Sequence, residues 1–294
     1  MTKLEPSNAV MNYPRRDAAD KLRGRTKYAV DHGGLETLHA VLVRSDVSSG
    51  LILELDLTAA QKMPGVRAIA TARDALGRHG IGIADHPIFA EKSVRYHGEP
   101  IVAIAADTRR QAMAAAALVV VKIEKTVSAL TMAEALDSNA PLVHPDWEDY
   151  EILFPGAARS KNVAWEATVE RGDTDKEFAR DDVTIVEGCY QVGRQSHVSF
   201  EPRATVASFE DGRFHIVTST QAPWTVRHVV AKVLGVVESK VRVTVPAVGG
   251  GFGLKFDCSL EPYAAILAHK SGKSVSLVNS REEEYLTCLC RENA

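Results

Sequence analysis

Residues 203–235, RATVASFEDGRFHIVTSTQAPWTVRHVVAKVLG, decide how this chain folds. Arg203 to Phe209 and Arg213 to Thr218 read as two strands joined across Glu210-Asp211-Gly212. The Asp-Gly step marks a hairpin, because glycine takes the positive φ that such a turn requires without steric cost. A helix follows over Trp224 to Leu234, entered through Pro223 and stopped at Gly235, a residue suited to a left-handed helix terminus. Strand, strand and helix in quick succession must cover one another in layers, so the stretch predicts a sheet with helices packed on it.

The pattern extends in both directions. Downstream, Val241 to Val245 reads as a strand and Leu260 to Ser271 as a helix stopped by Gly272; upstream, Asp182 to Tyr190 reads as a further strand. Nearer the N-terminus, strands are expected at Leu38–Ser45, Ile52–Asp56, Val66–Ala70, Ile101–Ala105 and Val119–Ile123. Thr58 is placed to cap a short helix ended by Pro64-Gly65, and Asp107-Thr108 to cap an alanine-rich helix over Arg109–Leu118. The fold class expected is α+β (mixed α/β). Residues 1–22 are polar and aperiodic and read as an arm. Residues 131–165, with Pro141, Pro145, Pro155, Gly156 and the acids from Asp146 to Glu151, read as a linker between a domain at 23–130 and another at 166–294.

Composition narrows the function. With 294 residues, 45% hydrophobic and 25% charged, the chain can bury one large core or two medium ones and is no disordered or collagen-like sequence. A formal charge of -3 provides no basic footprint for nucleic acid. The longest apolar run, Ala112 to Val121, is about half of what a bilayer needs, so no membrane span is expected. Asp17, Asp20 and Lys21 follow Arg15-Arg16 where an export signal would be apolar, and a cytoplasmic location is expected. Cys288 and Cys290 form a lone C-x-C, while Cys189 and Cys258 stand alone; none has the spacing of a zinc or cluster site, so no protein metal ligand is expected.

Three segments could carry chemistry. Pro246 to Lys255, PAVGGGFGLK, sets four glycines around Phe252 directly after a strand; such a loop exposes backbone N–H groups and lets a ligand approach the main chain. Neither phosphate-loop pattern fits it: a dinucleotide fingerprint from Gly249 would need glycine at Leu254, and one from Gly251 would need it at Phe256. Gln221, in Ser219-Thr220-Gln221-Ala222-Pro223, lies where strand turns to helix and can either aim an amide N–H into a cavity or satisfy turn carbonyls. His197 and Glu201, in HVSFEP, are spaced either for general acid–base work or for a buried polar contact.

Taken in this order and spacing, the three segments resemble the large subunit of the molybdenum hydroxylases, the xanthine dehydrogenase, aldehyde oxidoreductase and carbon monoxide dehydrogenase family. The resemblance extends to Glu261 and Ser280–Glu284. Gly24, Tyr28, Asp31, Leu42–Ser45, Pro64–Val66 and Val94–Pro100 resemble the same family's hammerhead α/β domain. It implies a hammerhead domain at 23–130 followed by the first molybdopterin-binding domain at 166–294, the latter truncated. Gln221 matches the glutamine that donates a hydrogen bond to an oxo ligand of the metal. Gly250, Gly251, Phe252 and Gly253 match the loop packed against the cofactor, with Phe252 and Phe256 facing a small-molecule substrate. The implied cofactor is Mo-molybdopterin cytosine dinucleotide, and the implied reaction is hydroxylation of an aldehyde or electron-poor N-heteroaromatic with oxygen from water. The electrons would leave through 2Fe-2S clusters and FAD held on partner subunits.

Two departures from the family shape these expectations. Its large subunit is usually more than twice this length, and its catalytic glutamate lies near the far C-terminus. The expectation is one half of a split large subunit, working with a C-terminal large-subunit partner, an iron–sulfur subunit and an FAD subunit; a truncated product, or a non-catalytic fragment or scaffold, is the alternative. Four residues after Phe252, where xanthine-oxidising members carry a glutamate, stands Phe256. That disfavours xanthine and favours a less polar substrate.

Overall fold

The computed structural model of the protein describes residues 15–153, 160–287 and 289–292. The expectations for residues 1–14 of the arm, for Pro155 and Gly156 and for Cys288 lie outside these residues. One seven-stranded mixed sheet organises the chain. Its strands are β1 (Leu38–Arg44), β3 (Val66–Ala70), β4 (Pro100–Ala106), β6 (Ala204–Glu210), β7 (Arg213–Thr218), β8 (Val241–Thr244) and β9 (Val275–Val278), in the order β8-β7-β6-β9-β1-β4-β3. β2 (Gly50–Asp56) and β5 (Val120–Lys125) pair antiparallel in a smaller sheet together with Ser93–Val94.

The hairpin forms as expected. Arg213 pairs with Glu210, which leaves a two-residue turn in which Asp211 (φ 49°) and Gly212 (φ 72°) are both left-handed. That double positive φ matches the right-handed twist of the strands it joins. From β7 the chain enters helix α2 (Pro223–Leu234) with proline at its first position, and Gly235 ends it at φ 65°. Helix α3 (Glu261–Ser271) ends the same way at Gly272, φ 64°.

Period-two alternation sorts the sheet's two faces. Leu38, Ala40 and Leu42 of β1 join Ala103 and Ala105 of β4 and Ile216 of β7 in a core shared with Val226, Val230 and Val233 of α2 and most of α3. The intervening residues Val41, Val43, Val102 and Ile104 face the other way, onto Ile52, Val121 and Ile123 of the smaller sheet and Ala115 of helix α1 (Arg109–Ala116). Each fully buried residue of the size of Ile216 stabilises the fold by about 1.5–3 kcal/mol.

Several local expectations are corrected. Asp182–Tyr190 forms no strand; it pairs with none among the described residues, and Val186 and Tyr190 stand almost fully exposed. Alternation licenses a strand only where a neighbour supplies the other half of the ladder. Thr58 does not cap its helix; Asp56 Oδ1 accepts from the Thr58 N–H at 2.8 Å instead. Thr108 does cap α1, accepting from Gln111 N at 3.2 Å. Among the elements that went unanticipated are β9, only four residues long, and helix α4 (Arg281–Thr287). So are the short helices Ala18–Leu22, in the stretch expected to be an aperiodic arm, Met132–Leu136, in the expected linker, and Thr174–Phe178. β9 pairs parallel with β1 and antiparallel with β6, so strands from residues 23–130 and from 166–294 share one sheet. No helix among the described residues is long and apolar enough to cross a membrane.

Candidate functional site

Gln221 sits between the end of β7 and the start of α2, with its backbone N–H donating to Lys255 O at 2.8 Å. Its side-chain Oε1 accepts from the backbone N–H of Gly253 at 3.0 Å and of Lys255 at 3.4 Å. Two donors on the oxygen settle which end of the amide is which. Nε2 therefore turns away from the loop, exposed and bonded to nothing among the described residues. The side chain satisfies two N–H groups of the glycine loop rather than turn carbonyls, and its nitrogen is left as an outward donor.

The glycine loop needs its glycines for two separate reasons. At Gly251 a Cβ would stand 2.5 Å from Gln221 Cδ, so only glycine lets the amide lie against the loop. Gly250 (φ 104°) and Gly253 (φ 97°) adopt backbone that other residues avoid, and Phe252 between them does so at φ 55° without being glycine. A phenylalanine held left-handed costs about 1–2 kcal/mol, so the surrounding bonds must over-determine it. Leu254 N donates to Gly251 O at 2.9 Å and Phe256 N to Gly253 O at 3.3 Å. Phe252 is 70% exposed and Phe256 53%. Gln221, Gly250, Gly251, Phe252, Gly253 and Phe256 are thus brought together on one surface.

His197 and Glu201 do not form an acid–base pair. Glu201 Oε2 accepts from Gly249 N and from Lys255 Nζ, both at 2.7 Å, and is a buried anchor of the loop. His197 Nδ1 is buried without a hydrogen-bond partner, and its Nε2 lies 3.4 Å from where a Cβ on Gly253 would be. Glu261, noted only for its resemblance, is the first residue of α3 and ties the preceding turn to β7: its Oε2 accepts from Ser259 N and Leu260 N at 3.0 Å each, and its Oε1 from Thr218 Oγ1 at 2.7 Å.

Beneath the loop runs a charged network that sequence reading did not assign. Arg203 Nε donates to Glu284 Oε1 at 3.0 Å, Nη2 to Thr287 Oγ1 at 3.1 Å, and Nη1 lies 3.6 Å from Asp257 Oδ2. Burial pushes the Asp257 carboxyl up to about 6, against the pull of Arg203. Arg281 holds the carbonyls of Ser199 and Phe200 at 2.8 and 2.9 Å. Arg203, Asp257 and the α4 pair Arg281 and Glu284 come from separate parts of the sequence, and the pairing of β6 with β9 sets the starts of β6 and α4 side by side.

A cavity of about 760 Å³ lies away from Gln221 and Phe252, lined among others by His79, Tyr96, Asp257, Cys258 and Tyr285. Burial pushes His79 down to about 4 and Tyr96 up to about 12. No group of three or more His, Cys, Asp or Glu among the described residues is placed to hold a metal ion.

Comparison with known proteins matches two segments of the chain. Residues 23–126 match the family described as the aldehyde oxidase and xanthine dehydrogenase a/b hammerhead domain, and residues 156–294 match the molybdopterin cofactor-binding domain. The large molybdopterin subunit of nicotinate dehydrogenase from Eubacterium barkeri is 33% identical over 270 residues, which cover 91% of this chain and 60% of that one. The solved structure of the aldehyde oxidoreductase from Desulfovibrio gigas superposes with a TM-score of 0.83 at 27% identity, covering 96% of this chain and 31% of that one. Quinoline 2-oxidoreductase from Pseudomonas putida 86 superposes with a TM-score of 0.77 at 26% identity, covering 95% and 35%. The chain therefore spans 60% of the nicotinate relative and about a third of the two solved enzymes.

Proposed function

Because this chain belongs to the xanthine dehydrogenase and aldehyde oxidoreductase family of molybdenum hydroxylases, we propose that it is the part of a multi-subunit enzyme that holds one side of a molybdopterin cofactor in its cytosine dinucleotide form. The observation that carries this reading is Gln221: its oxygen is tied to Gly253 and Lys255, so its Nε2 can only present N–H to a ligand. The surrounding residues fit such a group. Gly251 lets the Gln221 amide lie against the loop, where a single Cβ would displace it, and the left-handed Phe252 is 70% exposed on the same loop.

In this reading the bound cofactor supplies two-electron oxidation with water-derived oxygen. Gln221 Nε2 donates to an electron-rich acceptor on the cofactor; a neutral amide suits that task because it stabilises negative charge without becoming a metal ligand. Gly250, Gly251 and Gly253 let the backbone approach closely, and the Phe252 and Phe256 rings exclude water from the substrate side. An apolar ring at Phe256 favours an aldehyde or an N-heteroaromatic over a strongly hydrogen-bonding purine. That choice agrees in kind with relatives named for nicotinate, quinoline and aldehydes. The proton acceptor, the 2Fe-2S clusters and the FAD are assigned to partners: a C-terminal large-subunit polypeptide, an iron–sulfur subunit and a flavin subunit, in the cytoplasm. The hammerhead domain is assigned to 23–130 and the cofactor-binding domain to 166–294.

Recovery of the natively expressed chain with its partners, with molybdenum, iron and flavin quantified, tests the proposal. The expected result is about one molybdenum per chain together with iron, flavin and a second large-subunit polypeptide. Recovery of the chain in a stable assembly devoid of molybdenum overturns it and makes the chain a scaffold.

A further inference from the structure

Lys255, the last residue of the glycine segment, bonds to both of the other segments that build the site. Its carbonyl accepts from Gln221 N at 2.8 Å and from Thr220 Oγ1 at 3.3 Å, and its N–H donates to Gln221 Oε1 at 3.4 Å. Its Nζ donates to Glu201 Oε2 at 2.7 Å, the oxygen that also takes the Gly249 N–H. One end of the glycine loop is thus held by Glu201 directly, and the other through Lys255.

Both charges are out of water: the Lys255 side chain is 0% exposed and that of Glu201 12%. A buried ion pair of this kind adds little net stability, since desolvation offsets most of the attraction, and an apolar pair of similar volume could fill the space. Packing alone does not call for charge here. The second Glu201 oxygen, Oε1, is buried and has no hydrogen-bond partner, so the bonding of its carboxylate converges on the loop through Oε2.

We propose that the Lys255–Glu201 ion pair is a latch that positions the Gln221 amide and the left-handed Phe252 by clamping both ends of the loop from Gly249 to Lys255. Lys255 and Glu201 are positioning residues and touch no substrate or cofactor. Burial draws the Lys255 ammonium below its ordinary value while Glu201 draws it back up, as expected of a cation retained in the interior by one partner. The inference rests on the reading of Gln221 as a donor to the cofactor, but its test does not require the cofactor.

The test is site-resolved amide hydrogen exchange on the full chain, comparing wild type with Lys255→Met, Lys255→Arg, Glu201→Gln and the double variant Glu201→Gln/Lys255→Met. In Lys255→Met the Gly249, Gly253 and Lys255 amides are expected to exchange about tenfold faster or more, the size of losing a charge-assisted hydrogen bond. Amides of β6 and α3 are expected to keep their rates, and Lys255→Arg to restore part of the loop's protection. The double variant is expected to fold better than Lys255→Met, because no buried charge is left without its partner, while its loop still exchanges fast. Unchanged loop protection in Lys255→Met overturns the latch. So does a loss spread evenly over β6 and α3, which would make Lys255 a general support of the core. Should Lys255→Met not fold, the double variant decides: a loop as protected as wild type overturns the proposal, and a loosened one supports it. A latch that holds in the chain while its stable assembly with the partner subunits is recovered devoid of molybdenum would refute the cofactor reading and leave the latch standing.

Discussion

The glycine loop at 248–255 and the stretch from 163 to 200 are both irregular backbone, yet the structure treats them in opposite ways. The loop has bonds on almost every side: Glu201 on Gly249 N, Gln221 on Gly253 N and Lys255 N, and Gly251 O on Leu254 N. In the longer stretch the backbone bonds among the described residues are few. They include the bridge between Ser160 and Val163, the single helical turn Thr174–Phe178 capped by Asp173, one bridge from Gln195 to Arg291, and the Arg281 bonds to the carbonyls of Ser199 and Phe200. Its apolar side chains face outward, Val169, Val186 and Tyr190 at 94%, 87% and 88% exposure. Irregular geometry therefore says little about rigidity; what matters is whether each N–H and C=O finds a partner. The loop finds its partners within this chain, whereas the stretch has few backbone bonds among the described residues.

The most severe way to break that contrast is at Arg203, where the loose stretch becomes β6. Its guanidinium joins Asp257, just past the loop, to Glu284 and Thr287 of α4. Arg203→Met leaves Glu284, 2% exposed, as a buried charge without its cation, and should destabilise the chain by about 3–5 kcal/mol in denaturant unfolding. A loss below about 1 kcal/mol would show that the network does not anchor the loop's base.

A smaller effect is expected inside the loop. Gly251→Ala places a methyl 2.5 Å from Gln221 Cδ, a distance that van der Waals contact forbids, so loop or amide must move. Overpacking of this kind costs about 1–3 kcal/mol. The sharper readout is molybdenum in the recovered assembly, which should fall well below that of wild type while the chain still folds. Full occupancy with Gly251→Ala would mean that the close approach of Gln221 to the loop is not what the cofactor requires.

How much of this was legible in the sequence follows the same division. The hairpin over Asp211-Gly212, the helix stops at Gly235 and Gly272 and the cap at Thr108 are local devices, whose cause lies within four residues, and all were read correctly. β9 escaped because four residues carry too little pattern, although it is the strand that ties the two halves of the sheet together. Gln221 and the glycines were found through their motif, whereas the left-handed Phe252 and the roles of Lys255, Arg203 and Arg281 were not. Those depend on contacts 34 to 82 residues apart, which no local pattern encodes. The pairing of His197 with Glu201 failed for a related reason: Lys255, 54 residues away, takes the carboxylate with a charge-assisted bond, and His197 Nδ1 is left without a partner.

The alternation of Asp182–Tyr190 remains the place where pattern and structure part, and it provides the gentlest test. Ile185 and Val186 are about half and almost fully exposed, and the segment belongs to no sheet. In the chain alone, Ile185→Lys should therefore shift stability by no more than about 0.5 kcal/mol, as for any exposed site free of special contacts. Apolar alternation with no ladder is also what a strand looks like before its partner arrives, because cross-strand pairs supply the stabilisation that the isolated segment lacks. If the proposed C-terminal large-subunit polypeptide supplies that partner, the same substitution should reduce its co-recovery with this chain while leaving the melting of the chain itself unchanged. A melting shift above about 1 kcal/mol in the isolated chain would show instead that the stretch is already packed, and the contrast with the glycine loop would disappear.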